Sequence, residues 1–297
     1  MPNALVDFSN ALAAMLEAVS PSVVRVEARR RLPASGIVWS ASGHIVTANH
    51  IVQIDENIQV GLSDGQTVAA SLVGRDPATD LAVLHVERQD LAPVTWAETD
   101  DLRVGHLVMA VARPGRSLQT TSGVVSALGG PWRTGAGGQI DRYIQTDTAM
   151  YPGFSGGPLV TADGRAAGLN TSAIVRGVGL ALPPDTIRRA VETILEHGRI
   201  PRGYLGVGVQ PVRIAPSLQD EAGGETGLMI MSVEAGGPAE AAGVLQGDIL
   251  VSVDGNAVRD VDDLHSLLTS EMAGAQATLR LIRSSQFLDL PVTVGSR

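Results

Sequence analysis

Tyr151-Pro-Gly-Phe-Ser-Gly-Gly-Pro-Leu-Val-Thr-Ala-Asp-Gly-Arg-Ala-Ala-Gly-Leu169 decides the fold through the residues on the C-terminal side of its serine. Ser155 lies among glycines in an apolar, proline-flanked loop. Gly153 and the Gly156-Gly157 pair permit backbone angles and close approaches that a Cβ forbids. Such a loop presents a hydroxyl, with neighbouring N–H groups, to a substrate carbonyl. Taken alone the string is more often a plain tight turn. After it, Leu159-Val160, the turn Asp163-Gly164 and Ala166–Leu169 read as a β-hairpin.

The same period of two runs through the preceding chain. Short β-rich runs at Val23–Ala28, Gly36–Ser40, His44–Ala48, Ile58–Leu62, Thr67–Gly74 and Leu81–Val86 are separated by turn signals. Further runs lie at Leu107–Ala112, Thr120–Leu128, Tyr143–Asp147, Pro158–Val160, Ala166–Ser172 and Gly179–Leu182. The class is mainly β, and residues 21–183 have the length of two β-barrels with a break near residues 93–105. Residues 1–20 are an N-terminal helix whose apolar face carries Phe8, Leu12, Met15, Leu16 and Val19. That face docks on the chain's own body or, through Phe8, on another subunit. Residues 184–203 give a helix with Asp185 as N-cap and Gly198 just past its end, then a linker at Arg199–Gly203. Residues 204–297 form a separate mixed α/β module, including a helix at Asp260–Ser270.

The net charge of −9 argues against non-specific nucleic-acid binding. The one basic run, Arg29-Arg30-Arg31, reads as a solvated strand end or loop. The absence of cysteine excludes disulfides, zinc thiolates and a thiol nucleophile. Residues 1–20 contain no Lys or Arg, and the longest apolar run there is far too short to span a bilayer. The expectation is a cytoplasmic protein with no membrane span, or a periplasmic or otherwise extracytoplasmic one if the chain is a trimmed piece.

A serine nucleophile needs a base to take its proton and a third group to orient that base. His50 ends the strand-like run His44-Ile-Val-Thr-Ala-Asn-His50, and Asp80 enters the apolar run Leu81–Val86. Each alone is ordinary: a structural histidine and a strand-entry turn. Together they stand in the chain order His50, Asp80, Ser155, that of the chymotrypsin type. Gly153-Phe-Ser-Gly-Gly157 also satisfies Gly-x-Ser-x-Gly, the nucleophile elbow of the α/β-hydrolases. That fold needs a helix after the serine and a histidine downstream, and the hairpin after Ser155 rejects it.

Thr47-Ala-Asn-His50, Thr79-Asp80-Leu-Ala-Val-Leu84 and Gly153-Phe-Ser-Gly-Gly157 resemble the three catalytic blocks of the bacterial HtrA (Deg) serine protease family. Leu62-Ser-Asp-Gly65, Leu72-Val-Gly-Arg-Asp-Pro77, Thr121-Ser-Gly-Val-Val-Ser-Ala-Leu128 and Ile144-Gln-Thr-Asp147 match as well. The resemblance implies a chymotrypsin-like double β-barrel protease domain with its site between the barrels. His50 is then general base and acid, Asp80 its orienting carboxylate and Ser155 the nucleophile, with the N–H groups of Gly153 and Ser155 as oxyanion hole. Met150 and Ile174 line an S1 pocket for small or medium apolar residues. Two positions depart from the family: Phe154 replaces its usual Asn, and Gly130 stands where an activation-relay Arg is common, Arg133 being the nearest arginine.

The C-terminal module resembles a PDZ domain. Tyr204-Leu-Gly-Val207 matches the loop whose N–H groups capture a peptide carboxylate, and Gly237–Gly243 and Gly247–Gly255 match further family text. By resemblance Tyr204, Leu205, Gly206 and Val207 bind a peptide C-terminus, with the peptide added as a strand beside residues 206–210. The whole implies a homotrimeric endopeptidase of protein quality control that cleaves unfolded or damaged protein and needs no metal or cofactor. The alternative is a chaperone-like or peptide-sensing binder with a weak or latent catalytic centre.

Overall fold

The computed structural model describes residues 3–135, 137–175, 177–198, 200, 203–269 and 272–296. Arg199, Pro201 and Arg202 of the expected linker and Ser270 at the expected end of the last helix lie outside the described residues. Contacts divide the chain into two compact units, Met1–Thr134 with Gln139–Ile200, and Gly135–Gly138 with Pro201–Arg297.

In the first unit, helix α1 (Ala4–Val19) buries one stripe. Leu12, Met15, Leu16 and Val19 pack on Val23, Met109, Val111 and Val160, while Phe8 stays 52% exposed. Strands β1 (Val23–Glu27), β2 (Ala34–Val38), β3 (His44–Ala48), β4 (Ile58–Gly61), β5 (Thr67–Asp76) and β6 (Leu81–Val86) close into a barrel, in the order β1-β2-β3-β6-β5-β4. Closure removes the sheet edges that short strands otherwise expose. The interior is aliphatic, with Val26, Ile37, Ile45 and Leu84 fully buried.

The second set is β7 (Leu107–Ala112), β8 (Gln119–Gly129), β9 (Trp132–Arg133), β10 (Gln139–Ile140), β11 (Tyr143–Thr146), β12 (Pro158–Thr161), β13 (Ala166–Thr171) and β14 (Gly179–Leu182). Six of these close a second barrel, β11-β14-β13-β12-β7-β8, while β9 and β10 pair only with each other. That small pair lies in the Gly-rich stretch after β8, where no strand is expected from the sequence. β12 and β13 form an antiparallel hairpin after Ser155, as its turn signals imply. Helix α2 (Pro184–His197) packs Ile187, Ala190, Val191 and Ile194 into the first core. It starts one residue earlier than expected, with Pro184 at its first position and Pro183 as N-cap, because proline pre-sets the helical φ. The Asp185 carboxylate instead accepts from Thr99 Oγ1 at 3.0 Å.

The second unit is a mixed α/β fold. Strand β15 (Gly203–Tyr204) leads into β16 (Val207–Arg213), α3 (Gln219–Ala222), β17 (Thr226–Val233) and α4 (Pro238–Ala241). Then come β18 (Ile249–Val253), β19 (Asn256–Ala257), α5 (Val261–Leu267), β20 (Gln276–Arg283), β21 (Gln286–Thr293) and β22 (Gly295–Ser296). The main sheet runs β16-β17-β18-β20-β21. Its core is separate, built on Leu205, Leu228, Leu250, Leu279 and Val294. The architecture is therefore mainly β, a double barrel followed by a smaller mixed unit.

Candidate active site

Strand register brings the first two candidates together. β3 and β6 pair antiparallel with Ala48 opposite Leu81. His50 lies just past the end of one strand and Asp80 just before the start of the other, so both fall at the same barrel rim. Asn49 N–H donates to Asp80 C=O at 3.0 Å. Asp80 has φ 60°, a left-handed conformation that a short polar side chain tolerates. Asp80 Oδ1 accepts the His50 backbone N–H at 2.8 Å, and Oδ2 meets His50 Nδ1 at 2.8 Å. Thr171 Oγ1 also donates to Oδ2. The carboxylate is only 7% exposed and the imidazole 31%. With Nδ1–H donating to Asp80, the lone pair of Nε2 is left for an incoming proton.

The serine loop is fixed by a turn. Phe154 N–H donates to Tyr151 C=O at 3.0 Å, with Pro152 and Gly153 at the central positions and Gly153 at φ 96°. Proline followed by a positive-φ glycine is the type II pattern, and turning over its central peptide would give type I. The turn type therefore sets where the Gly153 N–H points. Phe154, Gly156 and Gly157 all spend their N–H groups on backbone carbonyls. Gly153 and Ser155 N–H have no acceptor among the described residues. A Cβ on Gly156 would lie 2.1 Å from Ser35 C=O, so no other residue fits there.

Ser35 ties this loop to the first barrel. Its N–H donates to Ser155 C=O at 3.2 Å. Its hydroxyl donates to Gly153 C=O at 2.7 Å and accepts the Arg113 N–H at 2.8 Å. Arg113, whose pKa burial lowers, donates to the carbonyls of Val23, Arg116 and Ser20 rather than to a carboxylate. Phe154 points away from solvent into the second barrel, 1% exposed beside Ala110, Ala112 and Leu159.

Ser155 Oγ hydrogen-bonds Ser172 Oγ at 3.2 Å; among the described residues it makes no hydrogen bond to His50. Both nevertheless line one cleft of about 540 Å³, together with Gly153, Met150 and Ser172. Ile174 does not line it; it is half-buried against the first core. Ser35, Thr171 and Ser172 are absent from the sequence-derived candidates. The one available signal was the Thr171-Ser172 pair at the end of a strand whose hairpin partner follows Ser155. Among the described residues no group of three His, Asp or Glu is placed to hold a metal, and no described helix is long and apolar enough to cross a membrane.

In the second unit, Leu205 is buried and Gly206 turns with φ 75°. Gly206 C=O accepts from Glu234 N–H at 2.8 Å and Leu205 C=O from Ala239 N–H at 2.8 Å. The Tyr204 hydroxyl donates to the Glu234 carboxylate. β16, which starts at Val207, is an edge strand paired only with β17 in the main sheet. No described strand pairs with its other edge, and strand addition works on such an unpaired edge.

Residues 34–169 match the trypsin-like peptidase domain family, and residues 203–294 the PDZ domain family. A protein of Chlamydia muridarum named "Probable periplasmic serine endoprotease DegP-like" is 33% identical over 276 residues, 91% of this chain and 55% of its own length. A protein of the same name from Halomonas elongata is 36% identical over 274 residues, covering 90% and 57%. The chain thus spans about half the length of the curated relatives it matches. Among solved structures, the HtrA-type protease AlgW with tripeptide is 31% identical at TM-score 0.65, covering 98% of this chain and 97% of that one. The serine endoprotease from Yersinia pestis is 28% identical at TM-score 0.69, covering 96% and 98%. These names overturn the expectation of a cytoplasmic protein, since the relatives are called periplasmic. The lack of Lys and Arg in residues 1–20 does not by itself carry an address.

Proposed function

We propose, from the premise that this chain belongs to the HtrA family of trypsin-like serine proteases and carries one PDZ domain, that it is a serine endopeptidase acting on unfolded protein outside the cytoplasm. The observation that carries the reading is the His50–Asp80 pair at 2.8 Å sharing a cleft with Ser155. His50 Nε2 takes the Ser155 proton as Oγ attacks the scissile carbonyl, once Oγ has rotated away from Ser172. Asp80 holds the imidazole tautomer and stabilises the imidazolium. The uncommitted N–H groups of Gly153 and Ser155 donate to the developing oxyanion, each such donor being worth about 10²–10³ in rate. His50 then protonates the leaving amine, and water releases the acyl group from Ser155 by the same route. Met150, which lines the same cleft, serves an S1 pocket for small or medium apolar side chains. The Tyr204–Val207 loop and the edge of β16 receive a peptide C-terminus, and the uncovered Phe8 end of α1 supports a trimer contact.

Ser155→Ala tests this directly. It is expected to abolish casein cleavage and fluorophosphonate labelling while leaving peptide binding by the PDZ domain unchanged; undiminished cleavage rejects the assignment. A second reading, a peptide binder with a silent centre, draws support from the Ser155–Ser172 hydrogen bond. Failure of Ser155 to label even with PDZ-bound peptide favours it.

A further inference from the structure

The protein is acidic, at −9, and several of its arginines have carboxylate partners, as in Arg88–Asp90, Arg189–Asp141 and Arg165–Asp163. None of the three consecutive arginines Arg29-Arg30-Arg31 has a carboxylate partner among the described residues. Among the described residues Arg29 bonds only the carbonyls of Leu32 and Pro33. Arg30 and Arg31 are exposed, and among the described residues they make no hydrogen bond or ion pair. All three line the cleft that holds His50 and Ser155, and no residue lining that cleft is acidic.

The run is also pinned at both ends to the catalytic segments. Ala28 C=O, just before it, accepts the N–H groups of Gln53 at 2.7 Å and Ile54 at 3.2 Å, in the segment just after His50. At the other end, Ser35 N–H donates to Ser155 C=O. A loop serving only solubility has no reason to be held there. His50 is the group that must protonate the departing amine, so the arginines tied to the segment after it face the leaving-group side of the scissile bond. Unpaired guanidinium groups in a concave site focus positive potential, and their fork geometry matches a carboxylate.

Resting on the protease reading above, we propose that Arg29-Arg30-Arg31 forms an acid-selective subsite, favouring substrates with Asp or Glu just after the cleaved bond. The remaining charge of the molecule repels such segments, so the preference is a local property of this loop.

The test uses the full chain and internally quenched peptides built on a bond it is found to cleave in casein. The two residues after that bond are Glu-Glu, Gln-Gln or Lys-Lys, with fluorophosphonate labelling of Ser155 run in parallel. At low salt kcat/KM is expected to fall in that order, by about 10-fold from Glu-Glu to Gln-Gln. The difference shrinks at 1 M salt, where the Debye length is about 3 Å. R30Q/R31Q is expected to bring the Glu-Glu to Gln-Gln ratio near one, and R30E/R31E to invert the order in favour of Lys-Lys. Equal rates for the three peptides with Ser155 labelling normally overturn the subsite alone, as does an unchanged ratio in both variants. No labelling and no cleavage of any substrate overturns the protease reading, and the subsite falls with it.

Discussion

Phe154 stands where the family usually has Asn, and its ring makes the serine loop part of a core. The N–H of Phe154 closes the turn that orients Gly153, and its ring meets Tyr151 edge-on at 5.9 Å. Phe154→Ala is expected to cost about 3–5 kcal/mol of stability through the cavity it leaves. It should also slow Ser155 labelling, because the turn loses its anchor; thermal unfolding and labelling kinetics read the two effects separately. Asp80→Asn probes a different dependence. Its amide cannot hold the His50 Nδ1–H tautomer, so kcat is expected to drop by about 10⁴ with unfolding unchanged to within about 1 kcal/mol. Ser35→Ala removes the hydroxyl that donates to Gly153 C=O and leaves the buried Arg113 N–H without its acceptor. That unpaired donor is expected to cost about 1–3 kcal/mol, with a fall in kcat that Ser35→Thr partly restores.

At the scale of elements, β3 and β6 do more than bring His50 and Asp80 together. His44 and His85 lie directly opposite on these strands, their rings 5.1 Å apart. Burial first, and then the charge of His85, push the His44 pKa below its ordinary 6.5. A group with a depressed folded pKa and a cationic acid form favours the folded state when neutral. Its contribution is present above about pH 6.5 and is lost as pH falls through the lowered folded value. Glu87, exposed and 3.8 Å from His85, offsets this only weakly. Urea unfolding at pH 7.5 and pH 5 should therefore show an acid loss of stability that His44→Gln removes and His85→Gln reduces. The same strands show what the sequence could tell. His50 and Asp80 were legible because turn signals fixed where β3 ends and β6 begins. Ser155 was legible because glycines and a hairpin surround it. Thr171 and Ser172 were not, because their role depends on which residue of β13 faces Gly157 in the ladder, and a serine or threonine at a strand end has no composition signal. Ile174, expected in the S1 pocket by resemblance, packs half-buried against the first core, a contact that no local pattern in the sequence signals.

For the whole molecule, the decisive fact is that hydrophobic cores are partitioned by unit. The cluster of Leu205, Leu228, Leu250, Leu279 and Val294 shares no residue with the clusters of either barrel. Leu205 belongs to that core while its neighbour Gly206 turns the candidate carboxylate loop. The loop is thus anchored in the core of its own unit. A fragment of residues 203–297 is expected to unfold in one cooperative urea transition and to bind peptides with a free C-terminal carboxylate. Amidating the peptide terminus should weaken binding by about 10-fold or more, since a charge-assisted hydrogen bond contributes about 1.5–3 kcal/mol. Leu205→Ala should lower fragment stability by about 2–5 kcal/mol. Measured by fluorescence anisotropy at a temperature where the variant is folded, it should also weaken binding, because the backbone of the loop hangs on that side chain. Equal affinity for free and amidated peptides would show that the pocket at Tyr204–Val207 reads something other than a chain terminus.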